Sequence, residues 1–201
     1  MSDPRSPMTI IEKLWGEHRR LKERVDIIEP RESINAGVTE QRSAWLSAGG
    51  IRAPGLKPAT FISHGIGGAW QFADAAVANQ ESVSALLKVP DDMIRTLPVE
   101  FCAGWSAAGI SPGDCYWQIE YLWTSQDEDT AGAAQDTKTV AGTASVTPDG
   151  LVITTAPDFD LPSSTDICIH LRLTRLSANV LDTIADTVEL SGIALTYYAY
   201  K

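Results

Sequence analysis

The sequence of 201 residues has few of the features that mark disulfide-rich, metal-binding or membrane-spanning proteins. Its three cysteines, Cys102, Cys115 and Cys168, are odd in number and lack CxxC spacing, which argues against a disulfide framework and a structural zinc site. Each lies in an apolar run, where we expect an inert, reduced core thiol. No window of 18 apolar residues occurs, so we expect no membrane-spanning helix and no membrane partner.

Positive charge is also scarce, and it is unevenly placed. The formal net charge is -10, with 16 basic and 26 acidic residues. Residues 1–31 contain 7 of the basic and 6 of the acidic residues, whereas residues 32–201 contain 9 basic and 20 acidic residues. Binding to nucleic acid needs a cationic face, so we expect no nucleic-acid partner. The interleaved charges of the first segment favour helix pairing instead.

Motifs for catalysis are absent from the sequence. Residues 63–68 (SHGIGG) match neither GxSxG nor the phosphate-binding loop pattern, and we interpret them as a turn between two strands. His170 alternates with aliphatic residues, which places it on a polar sheet face. Residues 127–129 (DED) could hold calcium, but they lack EF-hand spacing and favour a solvated loop. We therefore predict no enzymatic activity, no cofactor and no metal site.

The clearest helix signal spans residues 8–29, between Pro7 and Pro30. Thr9 and Glu12 have the spacing of a capping box. Apolar residues then recur at alternating spacings of three and four, which is typical of a coiled coil. The predicted trimerisation positions are Ile11, Leu14, His18, Leu21, Val25 and Ile28. At a core position, His18 either fixes the register or forms an axial cluster that binds an ion, and the first interpretation is favoured.

This predicted coil is too short to be stable alone. It has about three heptads, and Gly16 weakens its middle by up to about 1 kcal/mol. A larger associating domain must therefore hold the helices together. The alternative is a helix packed on its own chain, which Trp15 and Ile27 favour because they widen the apolar stripe beyond the narrow seam.

The sequence thus predicts three segments. Residues 1–30 form the trimerisation helix, residues 31–58 an irregular docking linker, and residues 59–201 a β-sandwich domain. Glycine and proline interrupt the linker throughout. Its apolar islands, Trp45-Leu46 and Ile51, are predicted to dock onto a neighbouring surface or subunit, the alternative being a loop over the core of the same chain.

Alternation of apolar and polar residues predicts about nine strands after residue 58. The clear ones are 99–105, 115–123, 167–175 and 193–200, and the weaker ones are 59–63, 69–73, 83–89, 137–146 and 150–155. The turn at residues 147–150 (TPDG) predicts a hairpin between 139–146 and 151–155. Without long helices between the strands, the pattern favours a mainly β, antiparallel jelly-roll-like sandwich of two four-stranded sheets.

The tryptophans of this domain have two interpretations. Trp105, Trp117 and Trp123 alternate with other residues along predicted strands, which favours core packing. A stacking surface for sugars or bases is the alternative.

Residues 169–176 (IHLRLTRL), Asp182, Asp186 and residues 190–197 (LSGIALTY) resemble the end of jelly-roll modules in structural proteins of tailed bacteriophages. A short helix before such a module is similar to trimeric head-decoration, head-fibre and tail-fibre proteins. The resemblance implies a homotrimeric virion protein, made in the host cytoplasm, that binds the major capsid protein as a decoration or cement protein. The alternative is a trimeric tail or head fibre that binds a host glycan.

Overall fold

The computed structural model describes residues 39–54, 57–64, 67–76, 79–108, 112–126 and 134–201. The β-sandwich is one compact unit, Glu40–Ala199. The predicted helix at 8–29, its six trimerisation positions and the acidic loop at 127–129 lie outside the described residues. Within the described ranges, no helix has the length and apolar character needed to cross a membrane.

The described residues form ten strands, and every strand predicted from the sequence is confirmed. The four clear predictions correspond to β5, β6, β9 and β10, which are the two central strands of each four-stranded layer. The strands are β1 (Thr39–Ser47), β2 (Thr60–His64), β3 (Gly67–Phe72), β4 (Ser82–Lys88), β5 (Val99–Ala107), β6 (Asp114–Ser125), β7 (Asp136–Thr143), β8 (Val152–Phe159), β9 (Asp166–Arg175) and β10 (Val188–Tyr200).

The strand order is that of a jelly roll. One sheet has the order β2-β3-β10-β5-β8, with β1 also paired to β10, and the other has the order β4-β9-β6-β7. The eight strands from β3 to β10 therefore form the two four-stranded layers β3-β10-β5-β8 and β4-β9-β6-β7, which is the double Greek-key arrangement of a jelly roll. The predicted mainly β, antiparallel sandwich is confirmed, and β1 and β2 extend one of its sheets.

The predicted linker is wrong for residues 39–47, which form β1. Ala44 and Leu46 pack against the core of the sandwich, and β1 pairs with β10. Ile51 is buried in the same core. Leu46 and Ile51 therefore pack on their own chain, whereas Trp45 stays exposed, and the pairing of β1 gives the free edge of β10 a hydrogen-bonding partner.

The predicted hairpin between 139–146 and 151–155 is wrong, although its turn forms. The Gly150 amide donates to the Thr147 carbonyl at 3.0 Å. However, β7 pairs with β6 in one sheet and β8 pairs with β5 in the other. The turn residues specify a chain reversal, but the partner of each strand is decided by which hydrophobic faces must be buried together.

The core is built around the predicted tryptophans. Trp105 and Trp117 are fully buried and pack edge to face at 6.2 Å between ring centroids, and Phe72 meets Trp117 at 5.2 Å. The Trp105 indole donates to Thr154 Oγ1 at 2.8 Å, and the Trp123 indole donates to the Asp160 carbonyl at 2.8 Å. Core packing of these three tryptophans is thus confirmed, so none of them forms a stacking surface.

The cysteines follow the prediction at two of three positions. Cys102 and Cys115 are buried, and burial raises the pKa of the Cys115 thiol. Cys168 instead lies half-buried on the outer face of the four-stranded sheet, where its Sγ is 2.9 Å from Thr124 Oγ1. His170 lies on the same outer face, as predicted, with its Nε2 3.9 Å from Cys168 Sγ.

Candidate functional site: an aromatic hollow beside strand β1

Arg175 and Asp182, two of the residues that carry the resemblance to phage proteins, form a buried clasp with the carbonyl of Asp186. Arg175, at the end of β9, is only 1% exposed. Its Nε donates to Asp182 Oδ2 at 3.1 Å and its Nη2 to Asp182 Oδ1 at 2.8 Å, so the pair is bidentate. The remaining guanidinium hydrogens are donated to the backbone carbonyls of Phe72, Ile184 and Asp186.

The clasp joins three parts of the chain. Asp182 Oδ2 also accepts the Tyr116 amide at 3.0 Å, so the loop between β9 and β10 is tied to β6 as well as to the end of β3. Burial lowers the pKa of Arg175, but the hydrogen bonds and charge of Asp182 outweigh it and leave the pKa raised. A buried ion pair whose hydrogen-bonding capacity is used in this way is a structural element.

The other side of the sandwich has an uncovered row of side chains on β1. Ala44 and Leu46 face the core, so the alternate residues face outward. We call these the β1 strip: Gln41, Ser43, Trp45 and Ser47, which are all exposed. Trp45 is 55% exposed, although it is the largest apolar side chain of the strand.

Two directly paired glycines make room for Trp45 on the outer face of the sheet. Gly104 of β5 is paired with Gly192 of β10. A Cβ on Gly104 would lie 3.5 Å from Trp45 Cζ3 and 3.3 Å from Ile153 Cδ1, so the indole reaches across β10 to β5. A Cβ on Gly192 would lie 2.8 Å from the Leu46 carbonyl oxygen. The glycine pair thus lets β1 approach the sheet closely and supports the exposed ring from below.

Polar groups accompany Trp45 along the strand. The hydroxyls of Ser43 and Thr196 are 3.1 Å apart and hydrogen-bonded. Gln41 Nε2 donates to Glu100 Oε2 at 3.4 Å. The β1 strip therefore combines one exposed aromatic ring with hydroxyl and amide groups, and its Gln41 contacts the carboxylate of Glu100 on β5.

A hollow of about 490 Å³ opens at the end of β1. It is lined by Ser47, Ala48, Gly49, Phe61, Gly67, Gly68 and Ser191. The ring of Phe61 is 46% exposed and leans edge-on against Trp70, with 5.3 Å between the ring centroids. A Cβ on Gly68 would lie 2.3 Å from Phe61 Cζ, so the ring occupies the space that any other residue at position 68 would fill.

Hydrogen bonding and a β-bulge set the shape of the hollow. The Trp70 indole donates to the Ala48 carbonyl at 2.9 Å and fixes the 3-10 turn Ala48–Gly50 against β3. The ladder between β10 and β5 shifts register between Leu190 and Gly192, which leaves Ser191 as an extra, exposed residue. Bulges redirect side chains in this way, and here Ser191 lines the hollow.

The chemistry of the hollow suits binding rather than acid–base or nucleophilic catalysis. Its lining side chains are an aromatic ring and two hydroxyls, and the rest are glycine or alanine. None of these seven residues is a carboxylate, a histidine or a cysteine. Across the described part of the chain, no group of three or more histidine, cysteine, aspartate or glutamate residues is placed to hold a metal ion.

Sequence reasoning did not find the residues of this site. The predicted break between two strands is confirmed, since His64 at the end of β2 pairs with Gly67 at the start of β3, but nothing in the sequence connects Gly67 and Gly68 with Phe61. Trp45 was singled out, but as part of a docking island. The sequence signal for the exposure of Trp45 is its position between Ala44 and Leu46 in TEQRSAWLS. Side chains alternate along a strand, so Trp45 faces away from the core if its two neighbours face it.

No protein-family model matches this chain, and no curated protein matches it. Solved structures similar to it include a family 6 carbohydrate-binding module (TM-score 0.46, 9% identity, 79% of this chain and 94% of that chain). Others are CBM35 from Cellvibrio japonicus Abf62 (0.44, 10%, 80% and 99%) and the xylan-binding module CBM15 (0.42, 13%, 80% and 97%).

At these TM-scores the similarities carry no argument about function. The jelly-roll assignment rests instead on the strand order of the two sheets. None of the three solved structures named above is a structural protein of a bacteriophage.

Proposed function

We propose that the jelly-roll domain is a glycan-binding domain and that the hollow at Phe61 is its binding site. The observation that carries this proposal is the combination of a half-exposed aromatic ring, two serine hydroxyls and walls of glycine around one open hollow. This is the glycan-binding alternative raised by the sequence.

Sugars present two kinds of surface, and the hollow has a match for each. The C–H groups on one face of a pyranose ring are apolar and pack on an aromatic ring, whereas the hydroxyls around its rim need hydrogen-bond partners. Phe61 supplies the ring, and Ser47 and Ser191 supply hydroxyls. The glycines leave backbone groups accessible, and a volume of about 490 Å³ is within the usual range for small-ligand sites.

The capsid-decoration hypothesis gains no comparable support from the described residues. Within the resemblance from which it comes, Arg175 and Asp182 form an ion pair inside this domain. The homotrimer remains a prediction of the heptad pattern at residues 8–29. Three linked domains would strengthen a weak sugar contact, so the predicted trimer is compatible with a fibre-like glycan-binding protein.

Glycan binding by the full chain is tested on an immobilised panel of mono- and oligosaccharides, followed by calorimetric titration of the best ligand. We expect Phe61→Ala to weaken binding at least tenfold, because the stacking surface is lost. A second variant, Ser191→Leu, should also weaken binding, since it fills the hollow from an exposed bulge position.

Leu86→Ala is the matched control, because Leu86 is 56% exposed on β4 of the other sheet and should leave binding unchanged. Circular dichroism confirms that each variant is folded. The proposal is wrong if no glycan binds the wild-type chain, or if Phe61→Ala and Ser191→Leu both bind as the wild type does.

A further inference from the structure

Trp70 of β3 contacts both walls of the hollow, although it is not one of the residues that line it. One wall is the Phe61 ring on β2, and Trp70 lies directly opposite Phe61 in the ladder between β2 and β3. The other wall is the 3-10 turn Ala48–Gly50, whose Ala48 carbonyl accepts the Trp70 indole N–H. Trp70 itself is 8% exposed, so it acts on the two walls from behind them.

Two alternate residues of β3 hold the Phe61 ring in place. Trp70 packs against the ring, with 5.3 Å between the ring centroids and 65° between the ring planes. A Cβ on Gly68 would lie 2.3 Å from Phe61 Cζ. Because residues 68 and 70 lie on the same face of the strand, the ring lies over Gly68 and against the Trp70 indole.

The same indole fixes the turn on the other side of the hollow. The Ala48 carbonyl accepts two hydrogen bonds, from Trp70 Nε1 at 2.9 Å and from the Ile51 amide at 3.2 Å. The second bond closes the turn on itself, whereas the first joins the turn to β3. Ala48 is 1% exposed, so water has little access to this carbonyl and does not replace a missing indole N–H.

We propose that Trp70 is a positioning residue of the binding site, whose indole holds the Phe61 ring and the Ala48–Gly50 turn at the separation that a sugar ring needs. This inference rests on the proposed function and assigns a part in it to a buried residue that does not touch the glycan. Affinity depends on such positioning, because a site whose walls are already ordered loses less free energy on binding than one that must order them.

The experiment compares Trp70→Phe with Trp123→Phe in the full chain. Trp70→Phe keeps an aromatic ring against Phe61 but removes the indole N–H. Trp123 is the matched control because it is 4% exposed and its indole donates to the Asp160 carbonyl at 2.8 Å, but neither residue is among the seven that line the hollow. Each variant loses one bond from an indole to a carbonyl, so we expect similar decreases in the urea midpoint.

Glycan affinity should separate the two variants. The probes are xylo-, cello-, malto- and manno-oligosaccharides, oligogalacturonates and sialyllactose, and the one that the wild type binds most tightly is titrated into each variant by calorimetry. We expect Trp70→Phe to bind it about fivefold more weakly, which corresponds to the loss of about one hydrogen bond, and Trp123→Phe to bind it as the wild type does.

Hydrogen exchange of the Ile51 amide, measured by NMR without glycan, reports the turn directly. This amide donates to the Ala48 carbonyl, so in Trp70→Phe it should exchange at least tenfold faster than in the wild type. Trp123→Phe should leave the turn intact. A general loss of stability would instead raise the exchange rate in both variants by similar factors.

The outcomes separate the positioning role from the proposed function. Wild-type affinity in Trp70→Phe overturns the positioning role and leaves glycan binding by the hollow in place. Equal losses of affinity in the two variants, or an Ile51 exchange rate that changes equally in both or in neither, overturn it as well. A wild-type chain that binds none of the probes overturns both proposals.

Discussion

The clasp around Arg175 and the hollow at Phe61 use side chains in opposite ways. In the clasp, a charged guanidinium is 1% exposed and bonded to a carboxylate and three carbonyls. By contrast, Phe61 in the hollow and Trp45 on the outer face of β1 are 46% and 55% exposed, and within the described residues nothing covers their outer surfaces. A charge that is buried and fully bonded serves folding, whereas aromatic rings held in water by the sheet beneath them are available for a ligand.

The difference between the clasp and the hollow also bears on the sequence pattern that resembles jelly-roll modules. Arg175, the Asp182 carboxylate and the Asp186 carbonyl hold the loop between β9 and β10 against β3 and β6, and the resemblance to other jelly rolls includes these residues. The hollow needs only small residues and one ring, which can be supplied in many ways. A resemblance carried by the clasp therefore reports the fold and is silent about the ligand.

The largest expected effect tests whether the clasp is structural. Arg175→Met leaves the Asp182 carboxylate buried without its partner and should lower the free energy of unfolding by about 3–5 kcal/mol. Urea denaturation followed by tryptophan fluorescence measures this. The matched control is Arg172→Met, which breaks the more exposed pair with Glu120 and should cost about 0–1 kcal/mol. Equal losses in the two variants would contradict the structural role of the clasp.

The second prediction concerns Tyr121, a buried side chain that is neutral at pH 7, and the effect of its ionisation on stability. The Tyr121 ring is 1% exposed, and its hydroxyl accepts the Asp160 amide at 3.0 Å and lies 3.5 Å from Asp136 Oδ2. Burial raises the pKa of Tyr121 to about 12. Because the folded-state pKa is the higher one, this contribution to stability is complete below the unfolded-state pKa of about 10 and is lost as the pH rises from there to about 12.

Between about pH 10 and pH 12 the free energy of unfolding should fall by about 2–3 kcal/mol from this ionisation. Urea denaturation at pH values from 8 to 12 should show a shallower decline for Tyr121→Phe than for the wild type. Tyr116→Phe, which removes a hydroxyl bonded to Thr139 at the surface, should keep the wild-type decline. An unchanged slope in Tyr121→Phe would show that the ionisation of this hydroxyl is not coupled to folding.

The smallest expected effect concerns Gly192, which lets β1 approach the sheet closely. Gly192→Ala places a Cβ 2.8 Å from the Leu46 carbonyl oxygen, so β1 must move away from β10. We expect a loss of about 1–2 kcal/mol in thermal or urea unfolding, at the lower end of the usual cost of overpacking. Gly67→Ala is the control, since nothing lies within 4 Å of its added Cβ. A wild-type stability for Gly192→Ala would mean that β1 does not approach the sheet as closely as described.

Local pattern was sufficient for the strands and for much of the core. Alternation identified nine strands, and it directed Trp105 and Trp117 inward, because a strand with one enclosed face must place apolar residues at every second position. It failed for β1, where Trp45 lies on the outer face and the inward residues are as modest as Ala44 and Leu46. It also failed at residues 147–150, since a turn fixes a reversal but not the partner of the strands it joins.

The sequence by itself determined that the domain would be an antiparallel β-sandwich, because side-chain alternation and turn chemistry are properties of neighbouring residues. Only the tertiary structure decided that Phe61, Ser47 and Ser191, which are far apart along the chain, would line one hollow, and that Gly104 and Gly192 would meet beneath Trp45. These contacts depend on strand order and on a one-residue bulge, and neither leaves a periodic trace in the sequence.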